Sequence, residues 1–277
     1  MNLFDETCFE CSKLITQRYS TSFSLGIKAF SPPVRGPIYA IYGFVRYADE
    51  IVDTFHGYDK EELIAHFRRD ARKAIEEGIS LNPVLHSFQL VVNRYHIEWD
   101  LIDAFLRSME MDLDQSQHIR TSFNEYVYGS AEVVGLMCLR IFTEGDKELF
   151  DRLSPTAKSL GAAFQKINFL RDLRDDFEDK GRVYFPNMDF SCFNEEMKSE
   201  IEEEIKKDFQ EAYQGIKQLP DNCRLGVYIA YRYYLQLFKR IKSLPAKTIT
   251  QTRIRVPDSE KVYLFAKALL RNQFNAI

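Results

Sequence analysis

Glycine and proline are scarce in this 277-residue chain, at 12 and 9. Strand-and-turn folds draw heavily on both, so the deficit favours long helices. No apolar run approaches the ~20 residues that a membrane-spanning helix needs. Met1 to Gln17 carries three acids and no basic stretch ahead of an apolar core, so it does not read as a secretory signal. An excess of basic charge is also missing. The formal net charge is −4, which excludes a protein whose main work is neutralising nucleic-acid phosphates. There is no Gly-x-Gly-x-x-Gly, no phosphate-binding Gly-x4-Gly-Lys-Ser/Thr and no Gly-x-Ser-x-Gly, so nucleotide-fold and hydrolase-elbow readings lack support. Cysteine is odd in number (Cys8, Cys11, Cys138, Cys192, Cys223). Cys8 and Cys11 have no second pair or clustered histidine to complete a zinc site, and free thiols in a reducing cytoplasm are expected. The five histidines (His56, His66, His86, His96, His118) form no Glu-x-x-His, His-x3-His or His-Asp pattern. Di-iron bundles therefore lack their ligands, and these residues are expected at the surface or at helix ends.

What is present is a balanced composition, 45% hydrophobic and 28% charged, which rules out disorder. Nearly every segment longer than ten residues has helical period. The periodicity predicts helices over about 5–19, 36–55, 59–78, 82–95, 98–115, 121–144, 147–180, 194–217, 221–243 and 257–275. Ser31-Pro32-Pro33 precedes the second and Asn82-Pro83 opens the fourth, while Ser154-Pro155 suggests a proline in a first helical turn. No Ser/Gly linker or internal repeat divides the chain. The expectation is one all-α domain, residues 1–277, with a cavity between its helices.

The chemistry lies in aspartates at helical spacing. Asp49 and Asp53 continue the stripe Ile38, Ile41, Tyr42, Val45. Residues four apart share a helix face, and an apolar face points inward. A buried acid needs a partner. Arg46, one turn before Asp49, is one candidate, and a divalent cation is another. The second pair, Asp172 and Asp176, ends the stripe Leu160, Phe164, Asn168, with Gln165 flanking. Such a column of hard oxygens suits Mg²⁺, which completes its shell with water and substrate phosphates. Arg171 and Arg174 stand beside it as phosphate partners. A third spacing, Asp175 to Asp179, reads as a solvated face. Two acid-bearing helices facing each other would hold a Mg²⁺–diphosphate cluster.

At these residues the sequence resembles the squalene/phytoene synthase family of head-to-head prenyl transferases. The first motif is Tyr47-Ala48-Asp49-Glu50-Ile51-Val52-Asp53. The second runs from Gln165 through Asn168, Arg171, Asp172 and Asp176 and is followed by Gly181-Arg182-Val183-Tyr184-Phe185-Pro186. Tyr19-Ser20-Thr21-Ser22-Phe23-Ser24 resembles the family's early phosphate segment, and Arg253-Ile254-Arg255-Val256 with Lys261 its C-terminal signature. The resemblance implies an all-α isoprenoid-synthase bundle with a central cavity. It implies that Asp49, Asp53, Asn168, Asp172 and Asp176 hold Mg²⁺. It makes Ser20, Ser22, Arg46, Gln165, Arg171, Arg182 and Arg253 candidate substrate contacts, and it places Tyr126, Tyr184 and Tyr234 near the reacting carbons. The family's small-residue segment reads here Ala131-Glu132-Val133-Val134-Gly135, so Glu132 stands where a glycine is usual and bears on cavity shape.

The implied reaction joins two allylic diphosphates through a cyclopropylcarbinyl diphosphate. Squalene formation then consumes hydride from NADPH, whereas phytoene and dehydrosqualene formation end in proton loss. Gly26 and Ile27 offer little bulk on the expected tunnel wall. The reading therefore favours geranylgeranyl diphosphate and phytoene, in carotenoid synthesis, over farnesyl diphosphate and squalene or dehydrosqualene. A cytoplasmic enzyme with loose contact at the inner membrane surface is expected, because its substrates and product are lipids.

Overall fold

Helices begin where a side chain can replace the missing intrahelical partner. Asn2, Asp59, Asn82, Asp146 and Asn194 each accept a backbone N–H two or three residues on, and each opens a helix. The computed structural model describes residues 2–114, 118–186, 190 and 193–273, without the side chains of Thr21, Ser22, Asp114, Asp258, Val262, Asn272 and Gln273. The helices are α1 (Leu3–Tyr19), α2 (Thr21–Lys28), α3 (Pro32–Thr54), α4 (Lys60–Glu77), α5 (Pro83–Tyr95), α6 (Trp99–Asp114), α7 (Arg120–Val127), α8 (Val133–Thr143), α9 (Lys147–Lys180), α10 (Glu195–Ile216), α11 (Asp221–Lys242), α12 (Ala246–Ile249) and α13 (Asp258–Gln273). The all-α expectation holds, with departures that have local causes. Ser20 ends α1 and its hydroxyl accepts the Phe23 N–H to start α2, so a short helix lies between the predicted helices 5–19 and 36–55. Pro155 lies inside α9, not in a first turn. It removes one backbone donor from a helix that neighbouring packing holds together.

The long helix predicted over 121–144 is divided by a π-helical turn, Tyr128–Glu132. Such turns insert an extra residue and rotate the helix beyond them. This one is clasped on both sides. A Cβ on Gly129 would lie 2.5 Å from the Ala104 carbonyl oxygen of α6, and one on Gly161 of α9 would lie 2.7 Å from the Ala131 carbonyl oxygen. Only glycine permits either approach.

Two histidines depart from the surface expectation. His86 and His118 are buried. His86 accepts the Ser80 N–H at Nδ1 and meets Asp5 at Nε2, 2.9 Å away, tying α1 to α5. Cys8, Cys11, Cys138 and Cys223 are free thiols, and Cys192 lies outside the described residues.

Helix α3 is the central post. Its Phe44 ring stacks on Phe88 of α5 at 3.9 Å and on Phe67 of α4 at 5.2 Å. Burying a side chain of this size is worth roughly 1.5–3 kcal/mol. The other face of α3 carries Ile38, Tyr42, Val45, Asp49 and Asp53 into a cavity of about 1200 Å³. Helix α9, packed along α8 and α10, presents Leu160, Phe164, Asn168, Asp172 and Asp176 to the same cavity. Both stripes read from sequence thus face one space.

Candidate active site

The two acid pairs meet through the end of α9. Lys180 Nζ donates to Asp53 Oδ2 at 2.8 Å and lies 3.6 Å from Asp176 Oδ1. The chain then turns sharply. Gly181 adopts φ 67°, a left-handed conformation that glycine takes without strain, and the Arg182 N–H returns to the Asp176 carbonyl. That reversal aims Arg182 back into the cavity, where its Nη1 donates to Asp53 Oδ1 at 2.9 Å. Asp53 therefore bridges Lys180 and Arg182. Burial opposes its ionisation, but those two cations outweigh it and hold its carboxyl below the usual range.

The other acids sit differently. Arg46 clamps Asp49 and Glu50 on its own helix. Burial, aided by the neighbouring Asp53 charge, still raises the Asp49 carboxyl. Asp172 is gripped by Arg171, at 2.5 Å, and by Arg253, at 2.8 Å. Among the described residues the Asp176 carboxylate has one ion pair, the longer Lys180 contact. Burial, with repulsion from Asp172, pushes it up to about 7. Each acid is thus engaged by Arg or Lys, and among the described residues no three acids, histidines or cysteines gather closely enough to hold a metal ion by themselves.

The remaining sequence-predicted residues converge on the same cavity. Asn168 accepts from the Tyr234 hydroxyl at 3.2 Å, and its amide donates to Gln165 at 3.4 Å. The Tyr234 ring stacks on Phe164 at 3.9 Å. Ser20 lines the cavity, although its hydroxyl is used as the cap of α2. The Ser22 side chain lies outside the described residues. Gly26 and Ile27 are on the wall as expected. Glu132 is not among the lining residues. It is half-buried against α9, within electrostatic reach of Lys158 and Lys166, while Ser130 and Ala131 take the cavity side.

Tyr126 and Tyr184 reveal a residue that the sequence reading missed. Their hydroxyls donate to the two oxygens of Asp112, at 2.8 and 3.0 Å. Asp112 ends the buried stripe Leu101, Phe105, Met109 on α6, the same pattern that exposed the aspartate pairs. Burial pushes its carboxyl up to about 6, against the opposing pull of Arg182 and the two phenols. Lys180 was legible too, since it is the next i+4 position after Asp176. The tyrosine rings belong to an aromatic layer, with Tyr184 on Phe169 at 4.2 Å and on His118 at 5.7 Å.

Comparison with known proteins gives the chain a family. The family model for squalene/phytoene synthase matches residues 16–260. The chain belongs to the squalene/phytoene synthase family. It is a prenyltransferase of that type. Among curated relatives, it is 27% identical to phytoene synthase of Arthrospira platensis, over 95% of this chain and 93% of that protein. It is 25% identical to 4,4'-diapophytoene synthase of Staphylococcus haemolyticus, over 80% and 77%. Among solved structures, a ligand complex of a dehydrosqualene synthase superposes with a TM-score of 0.83 at 21% identity, covering 97% and 98% of the two chains. Squalene synthase HpnC of Alicyclobacillus acidocaldarius gives 0.77 at 17%, covering 88% and 96%. These likenesses establish the all-α isoprenoid-synthase fold for this family member.

Proposed function

We propose that this family member joins two geranylgeranyl diphosphates head to head and forms phytoene through a cyclopropylcarbinyl diphosphate. The observation that carries this reading is a single cavity with opposed acid pairs in its wall, five cations among them and an apolar remainder. At about 1200 Å³ it exceeds the ~300–1,000 Å³ of ordinary small-molecule pockets, as two long tails require. Its many phytoene synthase relatives favour the C20 substrate. A farnesyl diphosphate reading is favoured instead by the diapophytoene synthase relative.

Asp49, Asp53, Asn168, Asp172 and Asp176 would hold Mg²⁺. The donor set fits, because hard carboxylate oxygens suit that ion and the under-compensated Asp176 gains from a cation beside it. Once bound, the metal supplies positive charge to a departing diphosphate. The chain's own part follows from its ion pairs. Arg46, Arg171, Lys180, Arg182 and Arg253 now neutralise acids. With a diphosphate present, they turn to its oxygens and fix its orientation, as charge-assisted pairs do. Phe164, Tyr234, Phe169 and Tyr184 present ring faces that favour an adjacent cation, and the apolar walls keep water from it. NADPH enters only if the product is squalene.

No described helix is long and apolar enough to cross a membrane. Tyr19, Phe23 and Leu25 line the cavity and are exposed, which suits peripheral contact with a lipid surface. The test is to incubate the protein and Mg²⁺ with each prenyl diphosphate, with and without NADPH, and to identify the hydrocarbon by mass. Phytoene without NADPH is expected. Failure of both substrates to release diphosphate would overturn the reading.

A further inference from the structure

Among the described residues five aspartates line the cavity, and one is held unlike the rest. Asp49, Asp53, Asp172 and Asp176 face Arg or Lys nitrogens. Asp112 takes a neutral phenol on each oxygen, from Tyr126 and Tyr184. Its nearest cation, Arg182, stands 3.7 Å away and is committed to Asp53 at 2.9 Å. The side chain is 4% exposed, so bulk water does not buffer it. This is the arrangement of a base behind hydroxyl groups rather than of a metal or phosphate holder. It also lies one guanidinium from Asp53, beside the place where the diphosphate would depart.

We propose that Asp112, acting through the hydroxyls of Tyr126 and Tyr184, receives the proton lost when the last carbocation of the coupling is quenched, so that this chain ends its reaction by proton loss and not by reduction. The inference rests on the head-to-head coupling proposed above. The step balances without a further reagent. A C–H bond next to the cationic carbon breaks, and its electron pair becomes the central double bond. The proton passes to a tyrosine oxygen as that phenol's own proton moves to Asp112. A cation and a carboxylate become a neutral alkene and a carboxylic acid.

The intervening phenols have a chemical reason. A carboxylate in direct contact with a carbocation would capture it as an ester. A neutral phenol is a weaker nucleophile, and hydrogen bonding to Asp112 makes its oxygen a better proton acceptor. The rings are held in place by neighbours. Tyr126 and Tyr184 lie 4.9 Å apart, Phe169 stacks on Tyr184, and buried His118 backs both tyrosines. The charged groups facing this trio are Arg182, 3.7 Å from Asp112 and donating to the Tyr184 oxygen at 3.4 Å, with Asp53 and Asp176 beyond it, so the Tyr126 oxygen is the better placed of the two to take the proton. The elevation of the Asp112 carboxyl to about 6 agrees with a base that is ionised at neutral pH yet stronger than an ordinary aspartate.

The test supplies the full chain and Mg²⁺ with the synthetic cyclopropylcarbinyl diphosphate, bypassing the first coupling. Diphosphate release and the ratio of proton-loss hydrocarbon to water-captured alcohols are measured together. In Asp112→Asn the ratio is expected to fall about 100-fold or more, the range that general bases supply, while diphosphate release changes less than about threefold. Asp112→Glu should recover part of the ratio. Should Asp112→Asn not fold, Tyr126→Phe with Tyr184→Phe carries the same readout. An unchanged ratio overturns the proposal, as does a parallel loss of release and ratio, which would mean that Asp112 merely positions Arg182. Wild-type hydrocarbon that forms only with NADPH overturns it too and leaves the coupling intact. Failure of wild type to release diphosphate from prenyl diphosphates condemns the coupling itself and is seen before any variant is made.

Discussion

The aspartate pairs on α3 and α9 have the same four-residue spacing and face the same cavity, yet their second members, Asp53 and Asp176, are pushed in opposite directions. Asp53 has two cations at hydrogen-bond distance, and its carboxyl is depressed. Asp176 shares Lys180 only at 3.6 Å, and its carboxyl rises to about 7. Spacing puts an acid on a face. Partners from other turns of the chain decide whether it is ionised there. The unequal pairing also leaves one pocket with both a well-anchored acid and an acid in need of a cation, which is what a transient diphosphate–metal cluster calls for.

Breaking either pair outright should have the largest effect. Asp49→Ala and Asp172→Ala are each expected to lower turnover about 10³-fold or more, with far-UV circular dichroism unchanged. Retained turnover in one of them would show that the two walls are not equivalent in function.

The charge difference itself can be read from pH-dependent stability in the presence of chelator. The native carboxyl of Asp53 is depressed, so its stabilisation is present above the ordinary value of 3.8 and is lost as pH falls through the lower native value. Asp176 is raised, so the native state holds its proton more tightly and stability declines as pH climbs from 3.8 to about 7. Asp53→Asn should therefore be less stable than wild type at neutral pH and converge with it in acid. Asp176→Asn should gain on wild type over that rise, by up to a few kcal/mol. Urea unfolding at about pH 2.5, 4.5 and 7.5 separates the two signs, because Asp176→Asn gains between the upper two and Asp53→Asn converges with wild type only at the lowest.

Lys180 touches both walls. Lys180→Ala is expected to cost about 10–100-fold in kcat/KM, typical for a residue that orients metal ligands, and saturating Mg²⁺ should restore part of the loss. Gly226→Ala tests the apolar part of the cavity while leaving both pairs alone. A Cβ there would lie 2.3 Å from the Phe30 ring, so overpacking should cost about 1–3 kcal/mol in stability, and use of the C20 diphosphate should fall more than that of the C15. The smallest effect is expected at Glu132, which points away from the cavity. Glu132→Gln should stay within about 0.5 kcal/mol of wild type, with turnover unchanged.

Much of this was legible. Ten helices follow from apolar period and caps, and α9 begins and ends at the predicted residues. The inward direction of all four aspartates follows from Ile38–Val45 and Leu160–Asn168 as continuous stripes. Asp112 and Lys180 obey the same rule and could have been found by it. Other features had no local signal. Helix α2 is eight residues long, too short for its apolar period to stand out in the sequence. The π-helical turn depends on Gly129 and Gly161 lying against backbone from distant helices. His86 is buried because Asp5, 81 positions away, gives it a partner.

Helical period and side-chain polarity act between residues a few positions apart, so the sequence by itself determined the helices, the faces they bury and the oxygen-bearing character of the two stripes. Charge compensation acts through space. Only the tertiary structure decided which cation meets which aspartate, that Asp112 rests on two phenols, and that Glu132 leaves the cavity free, because burial and partners arise from segments that are remote along the chain.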